Sequence, residues 1–168
     1  AGFLPSLIEL EDEHGNGLHT LYISPLKALA ADIRRNLKGP VEELGLPITI
    51  EDRTGDTSSH IKRRQRAAPP DILLTTPESL ALLISYENAP QIFSNLKRVV
   101  VDEIHALIES KRGDQLMLAL SHVQAIAPSL RRVGLSATVD DPAAIASFLS
   151  PEPNGCAVHF ADPGATPD

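Results

Sequence analysis

An α/β fold, with helices on both faces of a mostly parallel β-sheet, is what this sequence predicts. Three observations carry it: five short apolar runs without polar alternation, segments of helical period between them, and Ser/Thr/Asp-Pro pairs at or near run ends. At 168 residues and 42% hydrophobic content, the chain has enough apolar material for one domain with a core.

The apolar runs are LHTLYIS (18–24), PITIEDR (47–53), DILLTT (71–76), RVVVDE (98–103) and RRVGLSA (131–137). Such runs of apolar or β-branched residues suit strands covered on both faces, as in a parallel sheet. Between them the period turns helical. Leu26, Leu29, Ala30, Ile33 and Leu37 fall at i, i+3, i+4, i+7 and i+11, and Leu116, Leu120, Val123 and Ala127 repeat at a similar spacing. This alternation implies βαβ units with right-handed crossovers.

Ser24-Pro25, Thr76-Pro77 and Asp141-Pro142 each read as a helix start, because Ser, Thr and Asp are favoured caps and proline suits the first helical position. All three starts are expected at one edge of the sheet, outside the carboxyl ends of the strands. Ligands bind there in open α/β sheets, and helix N-termini there attract anions. Residues 11–17 (EDEHGNG) read as a loop. Residues 1–150 form the expected domain, and the proline- and glycine-rich residues 151–168 an extended tail or linker, with one short strand at most in AVHF (157–160).

A formal net charge of −7 argues against nucleic-acid binding through bulk charge. The dense positive spots are Lys62, Arg63, Arg64 and Arg66, and the pair Arg131-Arg132. A solvated helix face explains the first cluster as well as a phosphate contact does. The single cysteine, Cys156, excludes an internal disulfide framework and lacks metal-ligand spacing, so it reads as a bystander. With no leader and no long apolar run, a soluble, cytoplasmic protein without a membrane partner is expected.

The fourth run ends in Asp102-Glu103, and adjacent carboxylates at a buried strand end are costly unless something offsets them. Magnesium with a nucleotide phosphate would do so. In P-loop ATPases such a residue holds Mg²⁺, and an adjacent carboxylate can position the attacking water. Alternatively, Asp102 caps a following helix and Glu103 complements its dipole. At the end of the next run, GLSAT (134–138) brings Ser136 and Thr138, whose hydroxyls could hydrogen-bond to His105 or the acidic pair.

DEIH (102–105), SAT (136–138), SPLKALA (24–30), TGD (54–56) and TTPESL (75–80) stand in the order found in superfamily 2 helicases. Together with RTGDT, SKRGDQL and RRVGLSATV, they resemble the large helicase-related (Lhr) family of DNA helicases, and within it the bacterial ligase-associated DExH-box branch. The resemblance runs from residue 1 to about residue 150 and implies a RecA-like motor domain. It also implies ATP and Mg²⁺ as cofactors, with Asp102 serving the metal and Glu103 the water. His105, Ser136 and Thr138 would link ATP state to nucleic-acid grip. Pro25, Lys27, Thr54, Gly55, Thr76, Pro77 and Glu78 would line the strand-binding face. Arg112 resembles an element near the DNA path, with a surface salt bridge as its other reading. The implied partners are single-stranded DNA or a duplex with a single-stranded tail, a second RecA-like domain in cis, and ligase or nuclease repair proteins.

One departure stands out. No G-x-x-x-x-G-K-[ST] loop occurs in the chain, although that loop cradles the β and γ phosphates. In the family it lies just upstream of the segment that AGFLPSLIEL resembles, so these residues are expected to be a fragment that does not hydrolyse ATP alone. Three other readings stay open. An RNA-directed helicase would use the same phosphate contacts. A receiver-type signalling module would need acidic residues from more than one strand end. A docking scaffold finds few anchors at 4% aromatic content without tryptophan.

Overall fold

The computed structural model describes residues 3–14, 17–138, 141–150 and 157–159. Among them, five strands form one sheet: β1 (Thr20–Ile23), β2 (Ile50–Arg53), β3 (Ile72–Thr75), β4 (Arg98–Val101) and β5 (Arg131–Gly134). Each strand lies inside one of the five apolar runs. The spatial order is β2-β3-β1-β4-β5, and all four pairings are parallel. The strands are in step, Tyr22 standing opposite both Leu74 and Val100, so their carboxyl ends make one continuous edge.

The helices are α1 (Leu4–Glu13), α2 (Lys27–Glu43), α3 (Ser59–Ala67), α4 (Pro77–Ile84), α5 (Ala89–Phe93), α6 (Lys111–Ile126) and α7 (Pro142–Leu149), with a 3-10 turn at Ile104–Ala106. Successive strand residues point to opposite faces, and both faces are covered. Leu21, Ile23, Leu73, Val99 and Val101 share one core with Leu80 and Leu83 of α4, Phe93 of α5 and Leu116, Leu120 and Val123 of α6. Tyr22, Ile50, Ile72, Leu74 and Val100 share the other with Leu10 of α1 and Ala30 and Val41 of α2. Burial on both faces explains why the runs show no alternation. The expected α/β architecture is therefore the observed one.

Several local expectations differ. Ser24-Pro25 does not start a helix. Leu26 is extended (φ −116°, ψ 124°), so α2 begins at Lys27, and the Ser24 hydroxyl accepts the Leu26 N–H instead. Leu26, counted in the apolar stripe of α2, consequently lies outside the helix and is exposed. Thr76 and Asp141 do cap α4 and α7, accepting the N–H groups of Ser79 and of Ala143 and Ala144. The loop expected at 11–17 starts later, because α1 runs through Glu13. Its continuation is held from the other end: Glu9 pairs with the buried guanidinium of Arg98 on β4 (2.9 Å), which docks the helix over the sheet. Of the tail, residues 157–159 are without regular structure, and the rest of 151–168, Cys156 included, lies outside the described residues.

Candidate functional site

The acidic pair sits where β4 leaves the sheet. Asp102 is still in the ladder, its N–H donating to Ile23 O (2.8 Å). Glu103 then adopts the left-handed region (φ 48°, ψ 43°), which turns the chain into the 3-10 segment. Such a conformation is costly for a residue with a side chain, and it persists only where the surroundings enforce it. Here the carboxylate of Asp102 does part of that. Its Oδ1 accepts the Glu103 N–H (2.9 Å), while its Oδ2 accepts the Tyr22 hydroxyl of β1. Burial, and then the nearby Asp102, push the Tyr22 phenol far up, so it stays protonated and remains a donor.

The helix-cap reading of this pair is excluded. No α-helix follows Glu103; the next one, α6, starts at Lys111 and is capped by Ser110, which accepts the Gly113 N–H (3.0 Å). Both carboxylates remain partly exposed at the sheet edge. Asp102 thus presents hard oxygen atoms fixed by two donors, a donor set that suits Mg²⁺, which is held by one or two carboxylates together with phosphate oxygens. Among the described residues, no group of three or more His, Cys, Asp or Glu side chains could hold an ion without such help.

His105 joins the ends of β4 and β5. Its Nδ1 lies 2.8 Å from Ser136 Oγ, and its Nε2 lies 3.3 Å from Glu103 Oε2. The Ser136 hydroxyl donates to the carbonyl of Thr138, which continues the contact from His105 into the segment after β5. The Ser136 link agrees with the sequence expectation. Thr138 differs, since it takes part through its backbone oxygen. A backbone bond from Ile104 N to Leu135 O (3.0 Å) ties the same two strand ends together.

The remaining site residues divide by exposure. Thr54, Thr76 and Pro77 are buried and act within their own turns. Thr54 N–H donates to Thr57 Oγ1 and its hydroxyl accepts the Asp56 N–H, closing the TGD turn. Lys27, Gly55, Glu78 and Arg112 are exposed, and Pro25 is half-buried. Lys27 Nζ pairs with Asp56 (3.0 Å), which joins the start of α2 to the loop after β2. Arg112 donates to Glu78 (2.6 Å) and to the carbonyl of Pro25 (3.0 Å), joining α6 to α4 and to the loop after β1. That hydrogen bond holds the Glu78 carboxyl below its usual range.

Strand order then arranges these residues in space. Along the edge stand Thr54-Gly55 after β2, Thr76-Pro77 after β3, Pro25 and Lys27 after β1, Asp102-Glu103 after β4, and Ser136 after β5. The motifs assigned to a nucleic-acid strand are neighbours on one half, and those assigned to ATP are neighbours on the other. Strand order reverses between β1 and β4, the crevice where α/β sheets take ligands.

Some features were not foreseen. Tyr22 and Gly113 belong to the site, although an aromatic inside an apolar strand and a glycine in a helix's first turn carried no functional signal. A Cβ on Gly113 would stand 2.0 Å from Leu107 O, so α6 approaches the 3-10 turn through this residue. Among the basic spots, Arg132 donates to the carbonyls of Leu120 and Leu149 and to Gln124. Arg64 pairs with Glu51 (2.6 Å), Lys62 donates to Gly55 O, and Arg66 lies over the Tyr86 ring (3.9 Å).

A DEAD/DEAH box helicase family model matches residues 1–145. The chain is 43% identical over 151 residues to ATP-dependent helicase Lhr-Core protein 2 of Thermococcus barophilus, covering 84% of this chain and 17% of the relative. It is 43% identical over 164 residues to the Lhr helicase/probable uracil glycosylase of Mycolicibacterium smegmatis, covering 89% of this chain and 11% of that protein. The structure of Mycobacterium smegmatis helicase Lhr bound to ssDNA and AMP-PNP superposes with a TM-score of 0.79 at 42% identity, covering 88% of this chain and 20% of that one. The chain therefore spans less than a fifth of the length of these relatives.

Proposed function

Since this chain belongs to the DEAD/DEAH box helicase family, we propose that it forms part of the motor core of an ATP-dependent helicase that translocates on DNA in repair. Residues 1–150 are the part of the first RecA-like motor domain after its phosphate loop, and 151–168 lead toward a second such domain in cis. The observation that carries the reading is the placing of the helicase-like motifs along one carboxyl edge, with those after β2, β3 and β1 on one side of the strand-order reversal and those after β4 and β5 on the other. The Lhr structure with ssDNA and AMP-PNP supports it.

Asp102 holds Mg²⁺ and Glu103 faces the attacking water, whose proton its carboxylate accepts. Bound Mg²⁺ with the triphosphate neutralises charge at the reacting phosphate. His105 keeps Glu103 oriented and, through Ser136 and the Thr138 carbonyl, connects it to the end of β5. Pro25, Lys27, Thr54, Gly55, Thr76, Pro77, Glu78 and Arg112 form the side toward the single strand. The buried members shape the turns, Lys27, Gly55 and Arg112 meet phosphates, and Glu78 orients Arg112. Single-stranded DNA, or a duplex with a single-stranded tail, is the partner, with ligase or nuclease repair proteins as further ones. Among the described residues no helix is long and apolar enough to cross a membrane; a cytoplasmic, nucleoid-associated place suits a DNA motor.

The test is Glu103→Gln in the full-length gene product. Nucleotide binding is expected to persist, while DNA-stimulated ATP turnover falls by roughly 10²–10⁴-fold, the contribution of a general base. Unchanged turnover would remove Glu103 from the reaction. Stimulation by RNA above that by DNA would reassign the substrate.

A further inference from the structure

Strand β1 (TLYI) carries two side-chain hydroxyls, that of Thr20, which lies 2.9 Å from His19 Nδ1, and that of Tyr22. Tyr22 is only 2% exposed and packs in the core shared by α1 and α2, its ring stacked on Phe3 with centroids 4.8 Å apart. A phenol hydroxyl in such surroundings needs a partner. Register supplies one. Tyr22 stands opposite Val100, and Asp102 is two residues further along, hence on the same face and diagonal to Tyr22. The hydroxyl donates to Asp102 Oδ2, while Oδ1 accepts the Glu103 N–H.

Resting on the reading that Asp102 is the metal-holding carboxylate, we infer that Tyr22 is a positioning residue for it. A carboxylate offers about four acceptor sites. Two donors, one on each oxygen, fix its rotamer and leave one acceptor site on each oxygen. Tyr22 also spans the strand-order reversal, since β1 carries the nucleic-acid loop and β4 the acidic pair. A carboxylate lacking this donor keeps its charge and loses its aim.

The experiment uses the full-length gene product with Tyr22→Phe, which keeps the stacked ring and removes only the donor, and Asp102→Asn as the reference. Affinity for a non-hydrolysable ATP analogue is measured with and without Mg²⁺, beside the Mg²⁺ concentration giving half-maximal DNA-stimulated turnover. Tyr22→Phe is expected to leave metal-free affinity unchanged, to lose roughly tenfold of the metal-dependent gain, and to raise the half-maximal Mg²⁺ concentration similarly. If Asp102→Asn abolishes the gain while Tyr22→Phe keeps all of it, the positioning role is overturned and the metal reading survives. If Asp102→Asn itself keeps the gain, the metal reading fails and Tyr22 falls with it. An equal loss with and without Mg²⁺ in Tyr22→Phe would mark a structural residue and overturn the inference.

Discussion

Arg112 Nε lies 2.6 Å from Glu78 Oε1, and the same guanidinium reaches the carbonyl of Pro25 at 3.0 Å. One side chain on α6 therefore ties the first turn of α4 to the loop after β1. Arginine's planar fork suits this double role, which a lysine cannot reproduce.

Arg112→Ala is expected to weaken single-stranded DNA binding by the full-length gene product about two- to fivefold, the range of an exposed ion pair. Arg112→Lys should recover little of it. Combined with Glu78→Gln, the losses should be less than additive, because both changes break one contact. Fluorescence-anisotropy titrations of the parent, the three single variants and the double variant measure this, and strict additivity would show that Arg112 acts on DNA independently of Glu78.

Gly113→Ala should destabilise the domain by about 1–3 kcal/mol, because its new Cβ would overlap a backbone carbonyl that cannot step aside. Gly39, inside α2, has nothing beyond its own helix and chain neighbours within 4 Å of its Cβ position, but it precedes Pro40, whose ring disfavours a Cβ on the helical residue before it, so Gly39→Ala should change stability by less than about 0.5 kcal/mol. Denaturant unfolding should show a clear loss for Gly113→Ala and little change for Gly39→Ala. Equal shifts would mean that the helix propensity of glycine alone sets both.

Glu103 combines a left-handed backbone with the side chain proposed to face the attacking water, so stability and activity should separate there. Glu103→Gly removes the strain of a Cβ at positive φ and is expected to leave stability unchanged or raised by about 1 kcal/mol, while turnover collapses. Thermal unfolding and ATP hydrolysis on the same preparation check this. A clear drop in melting temperature would mean that the Glu103 contact with His105 outweighs the backbone strain.

At the opposite edge, Glu9 is held below the usual carboxylate range, chiefly by its hydrogen bond from Arg98. A folded-state pKa that is lowered contributes stability present above the ordinary carboxylate range and lost as pH falls through the folded value. Glu9→Gln should cost up to about 1 kcal/mol at pH 7, because Arg98 loses a charged partner whose pull is screened by solvent at its 41% exposed side chain. That cost should fade as acid protonates Glu9 in the parent. Unfolding free energies from pH 7 downward test it, and a cost that stayed constant into acid would refute the linkage.

How much of this was legible varies by element. The strands were, since β1 to β5 all fall inside apolar runs, and burial on two faces leaves a mark in composition that needs no partner to be read. Thr76 and Asp141 were equally legible as caps, because a cap is a contact between residues two or three apart. Ser24 carried the same signature and failed, because the extended Leu26 delays α2 and the Pro25 carbonyl meets Arg112, 87 residues away in sequence.

By itself, then, the sequence determined the α/β class, the strand segments, the acidic pair and the order of the motifs, all matters of local pattern and short-range chemistry. Only the tertiary structure decided the strand order β2-β3-β1-β4-β5, and with it which motifs stand side by side. It also decided that Tyr22 serves Asp102, that Arg112 ties Glu78 to Pro25, and that Arg132 turns inward. These pairings join residues far apart in the chain, and a hydrogen bond between such residues exists only once the crossovers have set the register that brings donor and acceptor within reach.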